Sequence, residues 1–362
     1  MSASVSQSAP PRPARLEYLD LLRCLSIVGV VVMHCASPLL GSESAVEMWS
    51  GLAYSSLSLF CVPALLMISG ALMLGDQRPL DLRKFYGKRF VKIALPLAAW
   101  SAVYYLAFCL QTGGLPHLGS FIKRFFTGMW AGPLWFLYMI AGVYLMVPFV
   151  RPAFSGQGWQ RRAAVFTAIV FGLNALNFAT RLIWEQDLNR FLSGAVIPYY
   201  FGYFVLGHLL NSTDVRVPGG RAALAAVFLV CAAVTAAGEF MAFQANTMLP
   251  NTFFCYQQPL TALMTAAIFL FFKGWKPEAA RKRARLVHEV SGLSYGVFLA
   301  HMLVMMLLTG QMTLFVSFGN GLDWRTVHPW AGPLLLGGAV FVLSALLTAG
   351  LKRTPVLKRM VP

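Results

Sequence analysis

Apolar residues in this chain fall in runs of roughly 18–22, the length a helix needs to cross a bilayer. Ten such runs stand at about residues 18–40, 52–75, 92–110, 133–150, 162–180, 194–211, 222–243, 255–272, 290–310 and 330–351. Between them lie polar, basic or Pro/Gly-rich connections. The pattern predicts an all-α integral membrane protein of about ten transmembrane helices. Pro63, Pro96, Pro133, Pro148 and Pro198 lie inside or at the edges of these runs and predict kinks, tolerated where neighbours or cavity water satisfy the freed carbonyls. The connections at roughly 76–91, 111–132, 273–289 and 311–329 are too short for a core of their own. Each has room for a short interfacial helix; Arg83 to Phe90, mixing basic and aromatic residues, reads as one. The organisation expected is a disordered lead over 1–15, a membrane domain over 16–352 and a basic tail over 353–362.

Composition agrees with the pattern. Of 362 residues, 58% are hydrophobic and only 12% charged, about half the charge of a soluble domain. The net charge of +16 raises the question of a nucleic-acid partner, and its distribution answers it. Arg12 and Arg15, the cations from Arg78 to Lys92, Arg151, Arg161, Arg162, Arg216, Arg221, the run Lys273 to Arg285 and the tail cations fall on one set of alternating connections. Lys123, Arg124, Arg181, Arg190 and Arg325 are all that fall on the other. Such a bias predicts both termini in the cytoplasm. The charge sets topology and excludes the nucleic-acid reading; any surplus attraction is to anionic lipid or an anionic cytoplasmic ligand. The six cysteines form no Cys-x-x-Cys pair, so no metal site and no disulfide framework is expected.

The informative residues are ionisable ones inside the spans, because each costs free energy unless it meets a partner or a cavity. The first span carries Asp20, Arg23 and His34. Arg23 and His34 are eleven residues apart, which leaves them about 20° apart around a helix and about 16 Å apart along it. Asp20, three residues before Arg23, lies on nearly the same face and can pair with it. The bland alternatives are an arginine that snorkels to the interface and a histidine that hydrogen-bonds between helices. His301, in the ninth span, is a second intramembrane histidine. The three groups on one face predict a polar track, basic at its cytoplasmic mouth and ending in an imidazole able to take a proton from a hydroxyl.

These residues also resemble a known family. Tyr18-Leu-Asp20-Leu-Leu-Arg23, followed eleven residues on by His34, is similar to the first-helix signature of the acyltransferase family 3 membrane proteins. Pro63 to Gly70, the stretch Phe85 to Pro96, Gly132 to Leu137 and Ser291 to His301 resemble that family's later motifs, in order along the chain. The resemblance implies acyl transfer from cytoplasmic acyl-CoA, with acetyl-CoA as co-substrate and no resident cofactor. The acceptor it implies is a hydroxyl of an exported glycan or lipid-linked saccharide, and the setting a bacterial inner membrane. It implies His34 as the catalytic histidine with Arg23 and Asp20 as partners. Lys88, Arg89 and Lys92 would grip CoA phosphates, although the family's usual Arg-x-x-Arg stands here as Arg89-x-x-Lys92 and loses one bidentate fork. Ser69, Trp135, Ser294, Tyr295 and His301 would contact substrate. His34 acting as general base and His34 acting as acyl carrier both remain open. So do two rival classes, a transporter or flippase using Arg23 and His34 as a substrate or proton site, and a non-catalytic scaffold. No internal repeat is visible, which weighs against the transporter.

Overall fold

The computed structural model describes residues 17–76, 78–188, 196–245, 252–274, 281–310 and 328–362. The lead expected over 1–15, Arg190 and Arg325 lie outside these residues. Every regular element among the described residues is helical. In order they are α1 (Glu17–Ala36), α2 (Ala45–Ser58), α3 (Cys61–Leu74), α4 (Leu82–Arg89), α5 (Leu95–Thr112), α6 (Leu118–Thr127) and α7 (Trp135–Val150). They continue with α8 (Trp159–Trp184), α9 (Val196–Ser212), α10 (Gly220–Gln244), α11 (Pro259–Lys273), α12 (Arg281–Leu308) and α13 (Gly332–Arg353). Eight helical stretches among the described residues are long and apolar enough to cross a membrane. The shorter α9 and α11 coincide with the two remaining runs, at 194–211 and 255–272.

Proline sets several of the irregularities. The second run is two helices, α2 and α3, joined at Leu59–Phe60 just before Pro63. Pro96 has a larger effect. It has no N–H to give the carbonyl four residues back, and its ring crowds that carbonyl, which belongs to Lys92. The chain answers with a π-helical turn over Phe90–Ala94 between α4 and α5, and the Tyr295 hydroxyl donates to the Lys92 carbonyl at 2.9 Å. The basic stretch read as interfacial is α4, N-capped by Asp81, whose carboxylate accepts from the Lys84 N–H. In the next connection, α6 is strongly amphipathic and packs Phe121 and Phe125 into a cluster with Trp130, Tyr105 and Tyr138.

Within a bilayer, apolar burial does little to hold helices together, and close backbone approach takes its place. α3 and α9 meet through glycines from both sides. A methyl group on Gly70 would collide with the backbone of Phe204, and one on Gly207 with the backbone of Met67. At one end of the bundle the Tyr18 hydroxyl donates to Asn211, and Lys273 Nζ satisfies the last carbonyls of α9 at Leu210 (2.7 Å) and Thr213 (2.6 Å).

The pair that positions the site is α1 and α12, which run parallel. Cys24 Sγ contacts the Val287 carbonyl, Arg23 meets Ser291, His34 meets His301 and Cys35 Sγ lies near Met305 Sδ. Parallel packing requires an odd number of crossings between the two helices, and the reading of ten runs has seven there. The tail over 353–362 is not free. It folds back so that the Met360 carbonyl accepts from Trp100 Nε1 at 3.1 Å and Val361 is fully buried.

Candidate active site

At the end of the bundle where α1 begins, α1, α3, α7 and α12 enclose a cavity of about 370 Å³ with the π turn and the end of the tail. Its wall carries three cations, Arg23, Arg89 and Lys92, and the hydroxyls of Ser69, Tyr144, Ser291, Ser294 and Tyr295. Leu65, Ile68, Ile93 and Ile140 add apolar surface, and Ile27, Phe136 and Phe298 do so further along.

The three cations are held differently. Arg23 Nη1 donates to Asp20 Oδ1 and to Ser291 Oγ, each at 3.2 Å, and Ser291 Oγ in turn donates to Asp20 Oδ1 at 2.7 Å. Asp20 is 6% exposed; its carboxylate offsets the cost of the arginine charge and fixes the guanidinium against α12. Arg89 instead lies over the ring of Tyr144 at 5.0 Å and that of Phe85 at 5.2 Å. Tyr144 donates to Ser69 Oγ at 3.2 Å, and Ser69 to the Leu65 carbonyl at 2.9 Å. Among the described residues neither Arg89 nor Lys92 has a carboxylate at ion-pair distance. Two cations that line a cavity without a neutralising carboxylate make it a place for an anion.

The π turn explains how Arg89 and Lys92 come to the same wall. It adds a residue to the turn that contains Lys92, and such widened turns recur at functional sites. Lys88, grouped with them in the sequence reading, is exposed and absent from the cavity wall.

Beyond the cations the cavity wall turns apolar, a collar of Ile27, Phe136 and Phe298 with the last two rings edge-to-face at 5.3 Å. His301 follows Phe298 by one turn of α12, and its ring centroid lies 5.3 Å from that of His34, tilted by 34°. His301 is 1% exposed; His34, in the last turn of α1, is half-buried. Neither histidine lines the cavity. The polar track expected along α1 is therefore interrupted by an apolar collar, because Ile27 and Phe298 occupy the faces between the two polar levels.

The sequence reading brought Arg23, Asp20, Arg89, Lys92, Ser69, Ser294 and Tyr295 to this cavity or its immediate support. Trp135 is elsewhere: it stacks on Tyr256 and meets a tilted Tyr200, both at 5.6 Å, one residue before the collar residue Phe136. Tyr144 and Ser291 were missed as site residues. Phe136, Ile140 and Tyr144 recur every fourth residue on α7, a stripe whose polar member was a readable signal. Ser291 gave none beyond its motif.

A family model described as an acyltransferase domain matches residues 16–349, nearly the whole chain. No curated protein and no solved structure matches it. Helices long and apolar enough to span a membrane and a match of that extent together make the chain a multi-pass membrane acyltransferase. It belongs to the acyltransferase family 3 that its first-helix residues resemble.

Proposed function

We propose that the protein is an O-acyltransferase of a bacterial inner membrane that moves an acetyl group from cytoplasmic acetyl-CoA to a hydroxyl of a cell-surface or exported carbohydrate. The observation that carries this reading is the pair of cations, Arg89 and Lys92, with no carboxylate at ion-pair distance among the described residues, in a cavity of small-molecule size. CoA is polyanionic and cytoplasmic, and the cavity opens at the end of the bundle from which the most basic connections emerge. Its phosphates suit Arg89 and Lys92, and its thioester arm suits the apolar collar beyond them. Lys88, outside the wall, would contribute only to the field that draws the anion in.

In this reading the acceptor hydroxyl gives its proton to His34 while its oxygen attacks the thioester carbonyl. Collapse of the tetrahedral intermediate breaks the C–S bond; the departing CoA thiolate takes the proton from the His34 imidazolium. Arg23, held by Asp20 and Ser291, supplies positive charge near the donor. The collar requires that the acyl end of the donor, or the ring of His34, move past Phe298 before the two meet.

The test is to incubate membranes containing the protein with radiolabelled acetyl-CoA and candidate lipid-linked or exported glycans. Label in alkali-labile ester on the glycan supports the reading. Label that accumulates only on acid-quenched protein and then chases to glycan would support the acyl-histidine route. No transfer to any hydroxylated acceptor, with substrate-dependent proton flux instead, would favour transport.

A further inference from the structure

Nδ1 of His301 lies at 2.6 Å from the Phe298 carbonyl, a hydrogen bond. A carbonyl can only accept, so Nδ1 carries a proton, and in the neutral ring Nε2 is a bare lone pair. That Nε2 is buried and has no hydrogen-bond partner among the described residues. A buried acceptor left unsatisfied inside a membrane is costly, and such orphans call for an explanation. The backbone that carries the ring is also tied to a neighbouring helix. Tyr104 sets its hydroxyl across the turn that carries His301, accepting from the Leu303 N–H at 3.3 Å and donating to the Leu299 carbonyl at 2.8 Å.

Beside His301 lie two rings, Phe298 at 5.9 Å and His34 at 5.3 Å between centroids, and only His34 has an N–H to give. Two imidazoles joined by an N–H···N bond have centroids about 5 Å apart, given N···N of about 3 Å and the size of the rings. The separation of the two rings is therefore compatible with an N–H···N bond from His34 to His301. Because His34 is half-buried and His301 fully buried, His34 is the ring that can reach substrate and His301 the one that stands behind it.

We infer that His301 is the positioning residue of the pair. Its Nε2 accepts the N–H of His34, which fixes the tautomer of His34 and leaves the other His34 nitrogen free to take the acceptor proton. The inference rests on the acyltransfer reading, with His34 as the group that touches substrate. It also gives the buried lone pair of His301 a donor during turnover.

Two substitutions separate the nitrogens of His301. In His301→Asn the amide N–H stands near Nδ1 and can keep the bond to Phe298, but nothing replaces Nε2. In His301→Gln the amide oxygen stands near Nε2 and can accept from His34, though it is no base. With donor binding and thermal stability measured alongside, His301→Asn should lose roughly 10–100-fold in kcat, with donor binding unchanged. His301→Gln should recover at least about tenfold of that loss. Full activity in His301→Asn would overturn the inference, since the bond to Phe298 would then be all that matters. Activity in His301→Gln no better than in His301→Asn would overturn it too, since an acceptor at Nε2 would then not suffice.

Should either variant fail to fold, the wild-type protein labelled with 15N-histidine decides. One buried ring should show a protonated Nδ1 and an unprotonated Nε2, and His34→Ala should shift that Nε2 resonance. An Nε2 signal indifferent to His34→Ala overturns the inference. Absence of acyl transfer in the wild type is a separate outcome, which fails the acyltransfer reading and is seen before any variant is made.

Discussion

Tyr295 on α12 donates its hydroxyl proton to the carbonyl of Lys92, the carbonyl to which Pro96, four residues on, has no N–H to give. The contact ties the helix that carries His301 to the turn that carries Lys92 and directly follows Arg89. Tyr295→Phe removes the donor and should cost about 0.5–1.5 kcal/mol of stability. It should also raise the KM for acyl-CoA more than it lowers kcat. Pro96→Ala restores an N–H, allows a regular α turn, and should raise that KM while leaving or increasing thermal stability. Donor KM and melting temperature in detergent check both; an unchanged KM in both variants would separate the π turn from donor binding.

Removing charge at the cavity should follow the wall and not the sequence neighbourhood. Arg89→Gln and Lys92→Gln should each raise donor KM severalfold, and the loss should shrink as ionic strength rises. Lys88→Gln should have a smaller effect, since Lys88 is exposed and off the wall. Donor titrations at two salt concentrations make the comparison; equal effects at all three positions would mean that only bulk charge matters.

Arg23 depends on geometry as well as charge. One of its nitrogens serves both Asp20 and Ser291 at 3.2 Å while the guanidinium also lines the cavity, and a lysine ammonium has only one nitrogen for all of these roles. Arg23→Lys should therefore reduce transfer by about tenfold or more, with protein level retained. Asp20→Asn should be worse for stability than Ser291→Ala, because it leaves a membrane-embedded guanidinium uncompensated. Folded yield by size-exclusion and transfer rate per folded molecule distinguish the two effects.

The glycine contact between α3 and α9 is a structural control. Gly70→Ala and Gly207→Ala each drive a methyl group into backbone that cannot move aside. Each should cost about 1–3 kcal/mol or more, seen as lower melting temperature or lost folded yield, while Gly87→Ala, with open space around it, should not.

Much of this was legible in the chain. Apolar runs fixed the helical membrane class because the bilayer imposes a length on any spanning helix, and the ten runs each meet a helix. The face shared by Arg23 and His34 followed from helical arithmetic, and Asp20 three residues before Arg23 gave the ion pair. What was not legible depends on contacts between distant helices. Ser291 joins Asp20 and Arg23 across 271 and 268 residues of sequence. The pairing of His34 with His301 required knowing that α1 and α12 pack parallel. Pro96 announced a disturbed helix, but that Tyr295 would satisfy the freed carbonyl could not be read from either segment. The collar was missed because Ile27 and Phe298 look like any other apolar residues of a span; only the enclosed cavity shows that they separate cations from histidines.

The most direct test of the account is transfer from labelled acetyl-CoA to glycan by purified wild-type and His34→Ala protein, with donor binding measured on the same samples. The account predicts that His34→Ala binds acetyl-CoA as the wild type does, because His34 lies beyond the cavity wall, yet transfers at least about 100-fold more slowly. Transfer at the wild-type rate by folded His34→Ala protein would contradict it.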